Sequence, residues 1–205
     1  MSNAARIDPG ATAVVLNDMI NSGLRKKDDE AYNSKIEQSG LIANAARLVA
    51  EARARGIPVI WIRVGRRPDR ADVVDNLVDV AGAWHQPNRP VAPGSHEAAN
   101  VDELPVHPED QVVLKPRIDP FIGTDLDLQL RARRVETILL GGYSTNIGVE
   151  SCARTAHDLG YNVVTVSDCC WNIAADLHEF SIQRILPRFS RVMTADAALG
   201  LLGPR

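Results

Sequence analysis

The sequence predicts a three-layer α/β/α fold around a parallel sheet of about six strands, and two observations predict it. Short apolar runs alternate along the chain with segments whose apolar residues recur at helical spacing. The strand-like runs, such as Ala13 to Leu16 and Ile138 to Leu140, are apolar at successive positions and not at every second one. Such strands are covered on both faces, as in parallel sheets flanked by helices. The 205 residues are enough to bury a sizeable core, and residues 1–205 are expected to form one domain.

The elements follow in order. Ala13 to Leu16 reads as a first strand ending at Asn17-Asp18. Ile36 to Arg55 reads as one helix, with Ile36, Leu41, Ile42, Ala45, Leu48, Val49 and Ala52 on its apolar face and Gly56 as its stop. Val59 to Val64 is the second strand. Residues 65–110 hold six prolines, Trp84 and three of the five histidines. A connection of that length is expected to cover a site or a partner subunit. Val112 to Leu114 is the third strand, closed by Lys115-Pro116. Thr124 is expected to cap the next helix, with Asp127 returning the bond. Ile138 to Leu140 is the fourth strand, ended by Gly141-Gly142, and a helix is expected from Ile147 to Leu159. Val163 to Val166 is the fifth strand, ending at Asp168. A helix over 176–186, a strand over 191–194 and a helix over 195–201 complete the chain.

Composition narrows the function. A net charge of -3 gives no basic face for nucleic acid. The apolar runs are strand-sized, too short to span a bilayer, and Met1 to Gly10 lacks the apolar stretch of a signal peptide. Three cysteines, two of them adjacent, make a poor disulfide framework and suit a reducing compartment. A cytoplasmic protein acting on a small molecule is expected.

In a doubly wound sheet, ligands bind beyond the carboxyl ends of the strands. Asp18, Lys115, the segment Gly141 to Gly148, and Asp168 all lie there. Asp18 alone reads as a turn or cap residue, and Lys115 alone as a snorkelling one. Together they can form a carboxylate–ammonium pair for acid–base chemistry, expected within ~8 Å of each other. The segment Gly141-Gly142-Tyr143-Ser144-Thr145-Asn146-Ile147-Gly148 joins a strand to a helix, where free amides can hold an anion or oxyanion. It lacks the three-glycine spacing of a dinucleotide fingerprint, and no cofactor is expected.

Four stretches then resemble one family when taken in order. They are Val15 to Met19, Leu114 to Arg117, Phe121 to Leu126, and Gly142 to Ala156 with Tyr161 to Val163 and Asp168 after it. The chain resembles the isochorismatase-like superfamily, which includes cysteine amidases such as nicotinamidase and N-carbamoylsarcosine amidase. The resemblance implies an Asp–Lys–Cys site and the strand order 3-2-1-4-5-6. Asp18 falls on its acid/base and Lys115 on its lysine, but Gly148 falls on its cysteine. It also implies a cis peptide between Tyr143 and Ser144, with the Ser144 and Gly148 amides facing the crevice. A substrate pocket of Tyr143, Ser144, Thr145, Phe121, Arg117 and Trp84 is expected, as is a homodimer or homotetramer. Zinc-binding members carry an Asp-x-His after the second strand. Here that place reads Gly65-Arg66-Arg67-Pro68-Asp69, so no metal is expected. His157 and His178 are expected to be structural.

Three functions stay open. The chain is a hydrolase acting through Asp18 and Lys115 without a nucleophilic thiol, similar to the enzymes that split the vinyl ether of isochorismate. Or it is a C–N amidohydrolase using Cys152 or a water. Or it is a binding protein that has lost catalysis. A pair of buried charges adds little stability, so keeping both favours use.

Overall fold

Six strands lie parallel in the order β3-β2-β1-β4-β5-β6, as the resemblance implied. They are β1 (Thr12–Asn17), β2 (Val59–Val64), β3 (Gln111–Lys115), β4 (Thr137–Tyr143), β5 (Asn162–Trp171) and β6 (Arg191–Met193). The structure is a computed structural model that describes residues 6–67, 69, 71–72, 78–79 and 91–203. Trp84 and His85 lie outside the described residues.

All six residues of β1 are buried, because helices cover both faces of the sheet. Val14 and Leu16 point to one side. There they meet Leu41, Ala45, Leu48 and Ala52 of α3 (Leu41–Ala54) and Ala195 and Ala198 of α7 (Ala195–Leu201). Ala13 and Val15 point to the other. There they meet Leu126 and Leu130 of α4 (Leu126–Ala132) and Cys152, Ala153 and Ala156 of α5 (Glu150–Asp158). This period-two division puts one apolar core on each side.

Several boundaries differ from the sequence reading. The helix expected over 36–55 is two helices, α2 (Glu30–Ser39) and α3. Gly40 breaks them in a left-handed conformation, φ 71°, which glycine adopts without a side-chain clash. Asp29 caps α2 by accepting from the Tyr32 amide at 2.8 Å. The Thr124–Asp127 capping box does not form. Thr124 Oγ1 accepts from the Leu126 amide at 3.2 Å, while Asp127 accepts from the Tyr161 hydroxyl at 2.7 Å. Gly141 and Gly142 continue β4 instead of ending it, paired with Leu16 and Asn17 of β1.

β5 runs on to Trp171 through a register shift opposite Leu140 to Gly142. Asp168 therefore does not reach the crevice. Its carboxylate accepts from the Ala195 amide at 2.8 Å and its carbonyl from Asn44 at 3.1 Å, tying β5 to α7 and α3. Cys169 and Cys170 lie within the strand and not after it, both buried. The helix expected from Ile147 begins as a wide π-turn, Thr145–Val149, before α5. That expected over 176–186 is α6 (Ala175–Phe180) followed by a π-turn and a short 3-10 turn.

The described end of the 65–110 connection is anchored beside Asp18. Val101 donates to the Met19 carbonyl at 3.1 Å, and Asn21, which opens the short helix α1 (Asn21–Leu24), donates to the Ala99 carbonyl at 2.9 Å. Among the described residues no helix is long and apolar enough to cross a membrane.

Candidate active site

The chain leaves β1 and crosses to β2 on one side, then returns past β1 to β4 on the other. The carboxyl ends of β1 and β4 thus flank the topological switch point, where doubly wound sheets open a crevice. Asp18 follows β1 directly. Its backbone is left-handed, φ 48°, a conformation aspartate tolerates better than most residues, and its amide donates to the Ile62 carbonyl at 2.9 Å. Lys115 is the last residue of β3, two strands away, and its side chain leans inward across the end of β2. Lys115 Nζ lies 2.7 Å from Asp18 Oδ2 and donates to the Ile118 carbonyl at 3.0 Å.

Gly148 completes the group. A Cβ built on it would stand 3.3 Å from Lys115 Nζ and 3.8 Å from Asp18 Oδ2. Position 148 thus sits against the pair, and its missing side chain is what leaves room there. Asp18 and Lys115 side chains are 9% and 0% exposed. Burial pushes the Asp18 carboxyl above its ordinary range, with Lys115 and the Val64 amide opposing. The direction follows from taking a carboxylate fully out of water, and it suits a carboxyl that carries a proton into a reaction.

Cys152 is the thiol nearest in sequence to Gly148, one turn along α5. It is completely buried. Burial, with the Asp119 carboxylate adding to it, pushes the thiol up to about 12. A thiol so raised holds almost no thiolate at neutral pH.

The turn after β4 is held from the strand beside it. The Tyr143–Ser144 peptide is cis. Asn172, just past β5, donates from its amide to Ser144 Oγ and Asn146 Oδ1. Thr145, fully buried, has its hydroxyl 2.8 Å from His178 Nδ1 on α6. Ser181 donates to Glu150 at 2.7 Å. Residues 172–181 thus brace the turn at four points. The Ser144 and Thr145 hydroxyls are engaged in this brace, and the Tyr143 ring stacks on Trp171 at 5.9 Å.

Two further expected pocket residues have partners of their own. Phe121 packs into the α4–α5 core with its ring 6.2 Å from that of Tyr161. Arg117 donates to the carbonyls of Asp72 at 2.6 Å and Pro116 at 3.0 Å. Sequence reasoning missed Asn172, because the fifth strand was ended at Asp168. A strand read to Trp171 would have put Asn172 at the sheet's carboxyl edge. It also missed Asp119, which accepts from the Thr155 hydroxyl and from the Phe121 amide at 2.9 Å. His157 has its ring edge against Phe189 at 5.9 Å. Among the described residues no three side chains converge as a metal-ligand set.

His178 carries a stability signature. Its burial lowers its pKa, with Glu179 opposing. The unfolded chain then takes up the proton more readily than the folded one, so stability is lost as pH falls through the ordinary histidine value of about 6.5. In His178→Gln this part of the acid slope is expected to disappear, read as a smaller drop in Tm between pH 7 and pH 5.

The Isochorismatase domain profile matches residues 12–197, most of the chain and all six strands. This chain belongs to the isochorismatase family. Among its relatives, an uncharacterized isochorismatase family protein, YecD of Escherichia coli O157:H7, is 38% identical over 79% of this chain and 83% of its own length. The ureidoacrylate amidohydrolase RutB of Methylobacterium radiotolerans is 32% identical over 95% of this chain and 82% of its own. Among solved structures, an isochorismatase family protein from Burkholderia thailandensis superposes with a TM-score of 0.81, at 33% identity, covering 97% of this chain and 98% of that one. The family is one of hydrolases, so this isochorismatase-family chain is a hydrolase.

Proposed function

We propose that this protein hydrolyses a small anionic metabolite through Asp18 and Lys115, with water and not a thiol as the nucleophile. The observation that carries the proposal is the side-chain-free Gly148 set against a buried Asp18–Lys115 pair. Asp18 is paired with Lys115 at rest, and burial favours its uptake of a proton, which it then delivers as an acid. In an enol ether it gives its proton to the terminal carbon. Water then adds to the carbon that bears the oxygen, its proton returns to Asp18, and the adduct separates into a carbonyl compound and an alcohol. Lys115 and the amides of the turn make the crevice electropositive, which suits a substrate carboxylate.

A second reading, hydrolysis of a C–N bond, is favoured by the likeness to ureidoacrylate amidohydrolase. There Asp18 takes the proton of the attacking water and passes it to the leaving nitrogen. Assay of the purified protein against isochorismate and ureidoacrylate separates the two. Under both readings Cys152→Ala is expected to keep turnover within about twofold, because a thiol raised to about 12 is no nucleophile. Loss of turnover in a Cys152→Ala protein that is still folded overturns the thiol-free mechanism.

We further propose that the protein assembles as a dimer or tetramer, with the 65–110 connection at the contact. The length of the connection and its six prolines motivate this. Light scattering is expected to give a multiple of the 22.3 kDa chain mass, and a monomer contradicts it.

A further inference from the structure

We infer that Asn17 holds the attacking water beside Asp18. The inference rests on the reading of water as nucleophile. Ala13, Val15 and Asn17 alternate along one face of β1, the face toward α4 and α5. The first two join the apolar core there, and Asn17 ends the row, completely buried. Neither its Nδ2 nor its Oδ1 has a hydrogen-bond partner among the described residues. Oδ1 of Asp18, the next residue, is in the same condition.

Asn17 lies close enough to the Cys152 thiol to favour its ionised form, yet makes no hydrogen bond of ordinary geometry to it. The same thiol feels the charges of Lys115 and Asp119. Asn17 therefore belongs to the floor of the site, on the side of the sheet to which Lys115 leans.

An apolar residue at this place would continue the strand with no polar group to desolvate. A buried amide without a partner gives up its hydration with nothing in return. Such a residue is explained where it meets something that comes and goes during turnover. Water fits the chemistry of the three atoms, since it both donates and accepts. Once Asp18 has given its proton to the substrate, Asn17 Oδ1 and Asp18 Oδ1 accept the two hydrogens of the water, which turns a lone pair of its oxygen toward a substrate carbon held against Gly148. As the new C–O bond forms, the O–H bond on the Asp18 side breaks and the proton passes to Asp18 Oδ1. The hydrogen held by Asn17 stays on the hydroxyl of the adduct and passes to the leaving oxygen as the adduct separates.

Asn17→Leu, nearly the same size, separates this role from a structural one. The expected result is a Tm no lower than that of the parent protein, with kcat reduced ~10-fold or more and KM within about threefold. A crystal structure of the parent at high resolution is expected to show an ordered water bonded to both Asn17 and Asp18 Oδ1, lost in Asn17→Leu. A fall in Tm with kcat retained makes the amide structural and overturns the inference. So does a map that orders other buried waters but none at this place. The crystallographic arm needs no substrate, so its failure is distinct from failure of the water-as-nucleophile reading, which Cys152→Ala tests.

Discussion

Asp18→Asn is expected to lower turnover by ~10²-fold or more, the usual effect of removing a general acid or base. It is also expected to destabilise the fold. The Lys115 ammonium is fully buried, keeps its bond to the Ile118 carbonyl, and loses its counter-charge. Breaking a buried pair from one side costs about 3–5 kcal/mol. Lys115→Met should lose turnover similarly but stability less, because the remaining Asp18 can escape its buried charge by taking up a proton. The two variants should also differ in pH dependence. A carboxyl whose pKa is raised in the folded state binds its proton more tightly there than in the unfolded chain. Lys115→Met should therefore lose stability as pH rises from the ordinary aspartate value of about 3.9 toward the raised one. Asp18→Asn has no carboxyl there and lacks that slope. Denaturant unfolding at several pH values, beside one activity assay, reads both effects. Equal stability losses at every pH would show that Asp18 does not neutralise when Lys115 is gone.

Gly142→Ala is expected to cost more than about 4 kcal/mol and leave little folded protein at 37 °C. Gly142 has φ 127°, outside the range side-chain-bearing residues adopt, and it pairs with Asn17 in the middle of the sheet. A Cβ there would stand 2.1 Å from the Asn17 carbonyl oxygen and 2.5 Å from its nitrogen. Both are backbone atoms of a central strand and cannot move without breaking its pairing. Gly148→Ala is the control. Its Cβ meets the far end of the Lys115 side chain at 3.3 Å, which can shift by a few tenths of an ångström. That variant should fold normally and lose activity instead, because the methyl group takes the room beside the pair. Circular dichroism and denaturant midpoints distinguish the two outcomes. A folded Gly142→Ala protein of near-parent stability would contradict the close approach of β4 to β1.

The alternation of short apolar strands with helical segments was legible because both patterns are local. The ends of elements were not, and each error has a local cause. Gly40 interrupts a row of apolar residues that keeps helical spacing on both sides of it, so periodicity alone does not reveal the break. Asp168 reads as the end of β5 because aspartate is common at turns, whereas in the fold its carboxylate accepts from the Ala195 amide of α7 from within the strand. Lys115 is a charged residue at 0% exposure, which no exposure rule for lysine anticipates. The opposed Asp18 carboxylate and the Ile118 carbonyl make it tolerable there.

The sequence by itself determined the fold class, the family and the identity of the three positions at the site, Asp18, Lys115 and Gly148. These depend on periodicity and on residues in order, which the chain carries along its length. Tertiary structure alone decided that the pair is in contact at 2.7 Å, that Cys152 is a buried core thiol, and that Asn172 and His178 brace the turn after β4. Those facts depend on contacts between residues as much as 97 positions apart, and on how completely water is excluded from each. Burial sets the protonation of Asp18 and Cys152, and it arises only when the helices close over the sheet.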